Sequence, residues 1–446
     1  MNTEEIINKL GFESTNAMQD EVADCILHSD KDVVVLSPTG SGKTLAFLLP
    51  LAQRINTTDD NIQAIVIVPG RELAMQSAAV AEKMGCGIRA MSVYGGNITM
   101  EEHREIKRKK PHILFATPGR LNDHLDKENI NAQYVSWLII DEFDKCLDMG
   151  FEKEMEKAVE TLSYVKRRIL LSATKSDSIP GYVRMGRTII VDYSSDDDNT
   201  PERVGIFTVK SKDKDKLVTL RRLLLDCGQQ SSIVFLNYRD AVERTGLYLK
   251  EQGFSVSIFH GGLDQKQREE ALYLFANGSS NILVSTDLSS RGIDIPGIQN
   301  IIHYHLPETR ESYIHRIGRT ARWDAKGTTF FIISPEENIP EYVEHSEEYL
   351  ISENTSKPPL PLMTTIYIGK GKKDKISRGD ILGFLCRKGG MTSEEIGRID
   401  VYERYSYVAV RRDKANSMLK RIKGEKIKGL RTIYNFFAPR TEDSNT

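Results

Sequence analysis

At 446 residues the chain exceeds what one hydrophobic core supports and calls for two or three domains. Its 39% hydrophobic and 28% charged residues are those of an ordinary globular protein, and no apolar run approaches the roughly 20 residues of a membrane helix. The net charge of −2 conceals an asymmetry: residues 363–434 carry 18 Lys and Arg against 8 Asp and Glu, a basic module on an acidic body that points to nucleic acid.

MNTEEIINKLGF has no basic region followed by an apolar one, so no secretory leader is expected. Five scattered cysteines without a CxxC suit free thiols in a reducing cytoplasm and argue against zinc. The strand candidates DVVVLS (32–37), AIVIVP (64–69), HILFAT (112–117), WLIIDE (137–142) and RRILLSAT (167–174) alternate with helical stretches, which predicts a parallel sheet with crossover helices. DYSSDDDNTPER (192–203) reads as a linker. The pattern then restarts with SSIVFLN (231–237), SVSIFHG (255–261), NILVSTD (281–287), NIIHYHL (300–306) and GTTFFII (327–333). Two α/β domains joined this way leave a cleft, and ligands of open α/β sheets sit at the carboxyl ends of the strands. Residues 336–362 read as a second linker. After it, TTIYIGK, SRGDILGFLCRK, GRIDVY, SYVAVRR, DKANSMLKRIKG and LRTIYNF predict the order βαββαβ of an RNA-recognition-motif type sheet. PRTEDSNT reads as a disordered tail.

SPTGSGKT (37–44) follows the first strand. Thr39, Gly40, Ser41 and Gly42 form a loop whose backbone N–H groups can face phosphate; Lys43 would reach the β- and γ-phosphates and Thr44 would hold Mg²⁺. Ser37 replaces the leading Gly of the general pattern. Asp141 ends a hydrophobic strand where a metal-holding acid is expected, and Glu142 beside it would orient or deprotonate the attacking water.

Residues 11–335 resemble the DEAD-box RNA helicases motif by motif, in GFESTNAMQ, GSGKT, PGRELA, GG, TPGR, DEFD, SAT, HGGLDQKQR, STDLSSRGID and HRIGRTAR. The resemblance implies two RecA-like parallel-sheet domains (1–193 and 204–350) and an RRM-like α+β domain (363–437). It makes Gln19 the adenine reader, Asp294 the ribose ligand and Arg319 the arginine finger with Arg316 nearby. Asp144, Ser172, Thr174 and His315 would couple hydrolysis to strand separation. Arg71, Gly96, Thr117, Arg120, Gln265, Arg268, Thr286 and Arg291 would line the RNA backbone, contacts that carry no sequence information. Three departures stand out. Thr15-Asn16 replaces Pro-Thr before the glutamine, and the family's upstream aromatic has no counterpart, two changes at the adenine-reading motif. Gly70 replaces a Thr near the RNA track. Phe143 replaces Ala, which would cost roughly 1–3 kcal/mol without compensating space; that space is expected around Ser172 and Ala173, with the motor active.

The third domain resembles the carboxy-terminal RNA-binding domain of DbpA-type helicases through its GKK run, RGDILG helix, IGRI strand and GEKIKG end. That resemblance implies a hairpin of large-subunit ribosomal RNA as target, with pre-ribosomal particles as partners and large-subunit assembly as the setting. Lys372, Lys373 and Arg378, with Lys370 and Lys375 beside them, are the basic candidates. Tyr405 and Tyr407 alternate on one strand, with Tyr367 on a neighbour; they either stack bases or are ordinary strand residues. The reading is thus an ATP- and Mg²⁺-dependent, cytoplasmic, monomeric RNA helicase, its third domain raising local concentration as a tethered binder does. A weakly hydrolysing ATP-gated clamp and a DNA translocase are the alternatives.

Overall fold

The computed structural model describes residues 3–38, 40–96, 99–174, 179–194, 204–287, 298–320, 327–343, 345–352 and 357–437. They form two compact units, residues 3–194 and residues 204–437.

The first unit is one parallel sheet of β1 (Asp32–Leu36), β2 (Ala64–Ile67), β3 (Ala90–Val93), β4 (Ile113–Ala116), β5 (Trp137–Ile140), β6 (Arg167–Ser172) and β7 (Thr188–Asp192). Their order is β3-β4-β2-β5-β6-β1-β7. β1, β2 and β4 are buried at every position, because crossover helices cover both faces. Alternation sends Val33 and Val35 to one core and Val34 and Leu36 to the other.

The second unit holds β8 (Val204–Lys210), β9 (Ser232–Leu236), β10 (Val256–Phe259), β11 (Ile282–Thr286), β12 (Asn300–His303), β13 (Gly327–Ile333) and β14 (Glu347–Glu348), also parallel. The order β10-β11-β9-β12-β13-β8-β14 repeats that of the first sheet with every number raised by seven. Each sheet therefore contains two strands beyond the five expected. β3 is too short and mixed to stand out, and β7 is half-exposed. β14 is a pair of exposed glutamates whose strand character comes from pairing with β8.

The stretch after residue 336 is correspondingly less free than a linker. Lys216 Nζ holds Glu337 at 2.8 Å, Tyr342 donates to Pro307 O at 2.5 Å, and Ser352 N–H donates to Asp226 at 2.8 Å.

In the same unit, β15 (Met363–Ile368), β16 (Ile396–Val401), β17 (Ser406–Arg411) and β18 (Tyr434–Phe436) form an antiparallel sheet ordered β16-β17-β15-β18. With helices Arg378–Arg387 and Arg412–Ile422 this is the expected βαββαβ order. Ile366, Ile368, Val408 and Val410 face those helices in the core, so the pleat turns Tyr367 and Tyr407, paired across β15 and β17, to the opposite face.

Candidate active site and RNA-binding surfaces

The functional motifs of the first unit leave the carboxyl ends of its strands. The chain passes from β1 into the phosphate loop, and Ser37 N–H donates to Ser172 O at 3.0 Å, joining it to the end of β6. Gly40 (φ 83°) and Gly42 (φ 88°) are left-handed. Gly42 precedes the Lys43–Arg54 helix, and a Cβ there would strain the left-handed backbone and, at 2.4 Å from Gln19 Nε2, push the Gln19 amide away. Lys43 is buried, and its ammonium donates to Ser37 O at 2.6 Å and Pro38 O at 2.8 Å. Thr39 lies outside the described residues.

Burial lowers the Lys43 pKa to about 8, against the pull of Asp141, Asp144 and Glu142. Because the ammonium is the phosphate-binding form, kcat/KM for ATP is expected to fall as pH rises through about 8. Bound phosphate holds the proton on, so kcat should stay flat; a pH series of both constants checks this.

Asp141 is buried at the end of β5, and its Oδ1 accepts the Glu142 N–H at 2.9 Å. Burial, and then the Glu142 charge, raise its pKa to about 7, with Lys43 opposing. Glu142 sits in the left-handed region (φ 52°, ψ 49°) at the start of the Phe143–Asp148 helix. For a residue with a side chain that costs roughly 1–2 kcal/mol, a strain typical of functional sites. Its Oε1 lies 2.6 Å from the fully buried Lys145 ammonium. Lys145 was not among the expected site residues; the only sequence signal was Glu and Lys three apart on a helix.

Asp144 Oδ2 accepts from Ala173 N–H and Thr174 Oγ1, both at 3.2 Å, and Ser172 Oγ donates to Thr174 O at 2.7 Å. The coupling candidates Asp144, Ser172 and Thr174 are thus brought together. Phe143 is 2% exposed and belongs to the core cluster with Leu36, Ile67, Ile140 and Cys146. Its compensating space is therefore the apolar core under the sheet. Phe143→Ala is expected to destabilise the first unit by about 3–5 kcal/mol through the cavity it leaves. ATP turnover should stay within a few-fold where the protein is folded; a rise in turnover, measured beside a melting curve, would show that the ring obstructs the motor.

Asn16 caps the Ala17–His28 helix: its Oδ1 accepts the Gln19 N–H at 2.9 Å and Gln19 Oε1 accepts the Asn16 N–H at 3.0 Å. Both side chains also reach the phosphate loop, Gln19 Nε2 to Gly42 O at 3.1 Å and Asn16 Nδ2 to Ser41 O at 2.9 Å. Asn16 in place of Thr therefore supplies a cap and a second tie to the loop. Arg167 closes the other end of this helix, donating to Ile26 O at 2.7 Å and Cys25 O at 3.2 Å.

Of the RNA candidates in this unit, Arg71 opens the Arg71–Lys83 helix with its guanidinium against Gly96, where a Cβ would stand 2.8 Å from Nη1. Gly96 is left-handed (φ 108°), so the glycine gives Arg71 its place. Thr117 stands at the N-cap position of the Pro118–Asp126 helix without a side-chain capping hydrogen bond. Arg120 is half-buried, and its Nη1 donates to the buried Glu102 Oε2 at 2.8 Å and to Thr99 Oγ1 at 3.0 Å. Through these bonds it ties the Thr99–Lys109 helix to the Pro118–Asp126 helix.

In the second unit, Gln265 begins the Gln265–Ala276 helix and donates to Glu269 at 2.9 Å, while the buried Arg268 lies 5.1 Å over the Phe259 ring. Thr286 ends β11 and is buried; Arg291 and Asp294 lie outside the described residues. His315 and Arg319 are also buried, on and just after the Arg310–Ile317 helix.

Arg316 differs from its expected role. It is 1% exposed and spends all three nitrogens on its own unit: Nε and Nη2 clamp Asp287 at 2.5 and 2.7 Å, Nη2 reaches Asn237 Oδ1 at 2.9 Å, and Nη1 reaches His305 O at 2.7 Å and His303 Nδ1 at 3.2 Å. Burial and then Arg316 push the His303 pKa well down, so that ring is neutral and its Nδ1 can accept. Within this unit Arg316 is a clamp across the ends of β9, β11 and β12.

In the third domain, Lys372 and Lys373 are exposed on the turn Lys372–Asp374, and Arg378 is the first residue of the Arg378–Arg387 helix. A cleft of about 660 Å³ opens there, lined by Lys372, Ser377, Arg378, Arg398, Asp400 and Tyr402 among others. Asp400 holds Arg378 at 3.2 Å and Arg398 at 2.6 Å, presenting both guanidinium groups.

A phosphate loop after β1, an acid pair after β5 and a second sheet of the same order carrying arginine-rich motifs define a two-domain P-loop nucleoside-triphosphatase of the helicase class. Family models agree along the chain: DEAD/DEAH box helicase over residues 16–180, helicase conserved C-terminal domain over 215–324 and DbpA RNA binding domain over 365–433. The ATP-dependent RNA helicase DbpA of Escherichia coli K12 is 34% identical over 95% of this chain and 94% of its own length, and DbpA of Bacillus subtilis 168 is 30% identical over 94% of each. Among solved structures, Mss116p bound to single-stranded RNA and AMP-PNP matches with TM-score 0.70 and 26% identity, covering 79% of this chain and 77% of that one. S. cerevisiae Dbp5 bound to RNA and ADP BeF3 matches with TM-score 0.67 and 26% identity, covering 74% and 87%. The chain belongs to the DEAD-box ATP-dependent RNA helicases, among the DbpA-like members that carry the third domain. It is an RNA-dependent ATPase that binds RNA. No helix among the described residues is long and apolar enough to cross a membrane.

Proposed function

We propose that this helicase remodels structured ribosomal RNA during large-subunit assembly, in pre-ribosomal particles of the cytoplasm, and that it works as a monomer. The observation that carries the target is the third domain: a net basic module whose cleft offers Lys372, Arg378 and Arg398, resembling a domain type directed to a large-subunit hairpin. ATP is used as its Mg²⁺ complex. Mg²⁺ keeps several waters and needs only one or two protein oxygens besides phosphate. The buried Asp141 carboxylate, crowded by Glu142, suits such a cation, and the Thr44 hydroxyl would share it. Lys43 then holds the β- and γ-phosphates, Glu142 prepares the water and Arg319 meets the developing charge. Gln19 reads adenine by exchanging its bond to Gly42 O for the base.

A second reading, the weakly hydrolysing clamp, is favoured by one observation: Glu142 is already engaged by Lys145. Steady-state ATP hydrolysis with no RNA, generic single-stranded RNA and RNA bearing the ribosomal hairpin separates these. Strong stimulation by the hairpin RNA alone is expected. Equal stimulation by both RNAs would remove the ribosomal target. No hydrolysis by folded protein would leave the clamp.

A further inference from the structure

We infer that the Tyr407–Thr365 part of the third domain's sheet face is a docking surface for the Gln265–Ala276 helix of the second domain and the turn after it, and that this segment, not an RNA base, occupies Tyr407. Tyr407 is 5% exposed, with its ring centroid 5.3 Å from that of Tyr273 on the helix, itself 4% exposed. Arg398 on β16 lies 5.5 Å over the Tyr273 ring. Beside this aromatic contact is a buried polar one: Asn277 Nδ2 donates to Thr365 Oγ1 at 2.9 Å, and Ser279 Oγ lies 2.8 Å from the same oxygen. Arg412 donates to Ser279 O at 3.3 Å and to Met363 O at 2.8 Å, bridging the two domains. Polar groups buried in this way are satisfied only while the domains are docked. A base stacking on Tyr407 would have to displace Tyr273. The exposed Lys372 and Arg378 remain available to RNA.

The docked helix begins with Gln265 and carries Arg268, the RNA candidates of the second domain, and its far end holds the third domain. An RNA element bound by the third domain would therefore be presented to the motor in one orientation, as on a rigid arm. This adds a fixed orientation to the local-concentration effect expected of a tethered binder, and it rests on the targeting role proposed above; the docking itself does not.

The test is a disulfide trap in the full chain, Ser279→Cys with Thr365→Cys. Both substitutions put sulfur where oxygens already stand 2.8 Å apart, so little movement is needed to reach S–S bonding distance. Oxidation should form this intramolecular link, mapped by peptide mass spectrometry, with RNA absent and with RNA saturating. The oxidised and reduced forms should bind hairpin-bearing RNA with dissociation constants within about twofold. Failure to form the link, in protein whose melting curve shows it folded, overturns the docking. A link that weakens RNA binding by tenfold or more overturns the occupancy, because a stacking platform permanently covered loses about that factor per base. If neither form binds any RNA, the targeting role fails while the disulfide still decides the docking.

Discussion

Glu142→Gln is expected to lower RNA-stimulated ATP turnover by about 10²–10⁴, the usual range for removing a general base. ATP binding should persist, because Lys43 and the glycine-held loop are untouched. Glu142 is also the near counter-charge of Lys145, at 2.6 Å with the lysine side chain fully buried. Neutralising it weakens that compensation, and breaking buried charge pairs is destabilising. Melting of the first unit should fall by a few degrees, given roughly 2–4 °C per kcal/mol for a domain of this size. Adding Lys145→Met should recover much of the melting temperature without recovering turnover. Turnover that survives Glu142→Gln would remove the residue from the chemistry and leave its pairing with Lys145 as a purely structural feature.

The two arginines of HRIGR are expected to fail in different ways. Arg319→Ala should reduce turnover by about 10³–10⁵, as loss of an arginine finger does, with ATP-independent RNA binding retained. Arg316→Ala should act through the fold. It strips Asp287 of its bidentate partner and leaves His303, His305 and Asn237 without a donor they share inside the unit. Breaking a buried pair of this kind costs about 3–5 kcal/mol, so melting of the second unit should drop by roughly 10 °C. RNA binding and turnover should then fall together, because Thr286 ends β11 immediately before Asp287. Arg316→Lys should rescue little, since an ammonium cannot form the fork that spans Asp287. Measuring melting, RNA affinity and turnover on the same three variants distinguishes finger from clamp; equal losses with unchanged melting would return Arg316 to the phosphate.

Much of this protein is written locally along its chain. Short apolar runs bounded by turn residues and alternating with helical stretches mark the strands, and GSGKT between a strand and a helix places glycines where left-handed backbone is required. DE at the end of β5 and the βαββαβ order of the last domain are local in the same sense. What sequence could not decide was which of two uses a polar or aromatic side chain would take, because that depends on neighbours brought from afar. Arg316 meets Asp287 from 29 residues away and Asn237 from 79, and becomes a clamp. Arg120 meets Glu102, 18 residues upstream, and joins two helices. β14 is a strand only because β8 offers it an edge. Thr365 meets Asn277 across 88 residues, and beside that contact Tyr407, one of the tyrosines with two possible uses, packs on Tyr273. The chemistry is set by residue type and spacing, which are local; burial and pairing are collective, and only the tertiary structure assigns them.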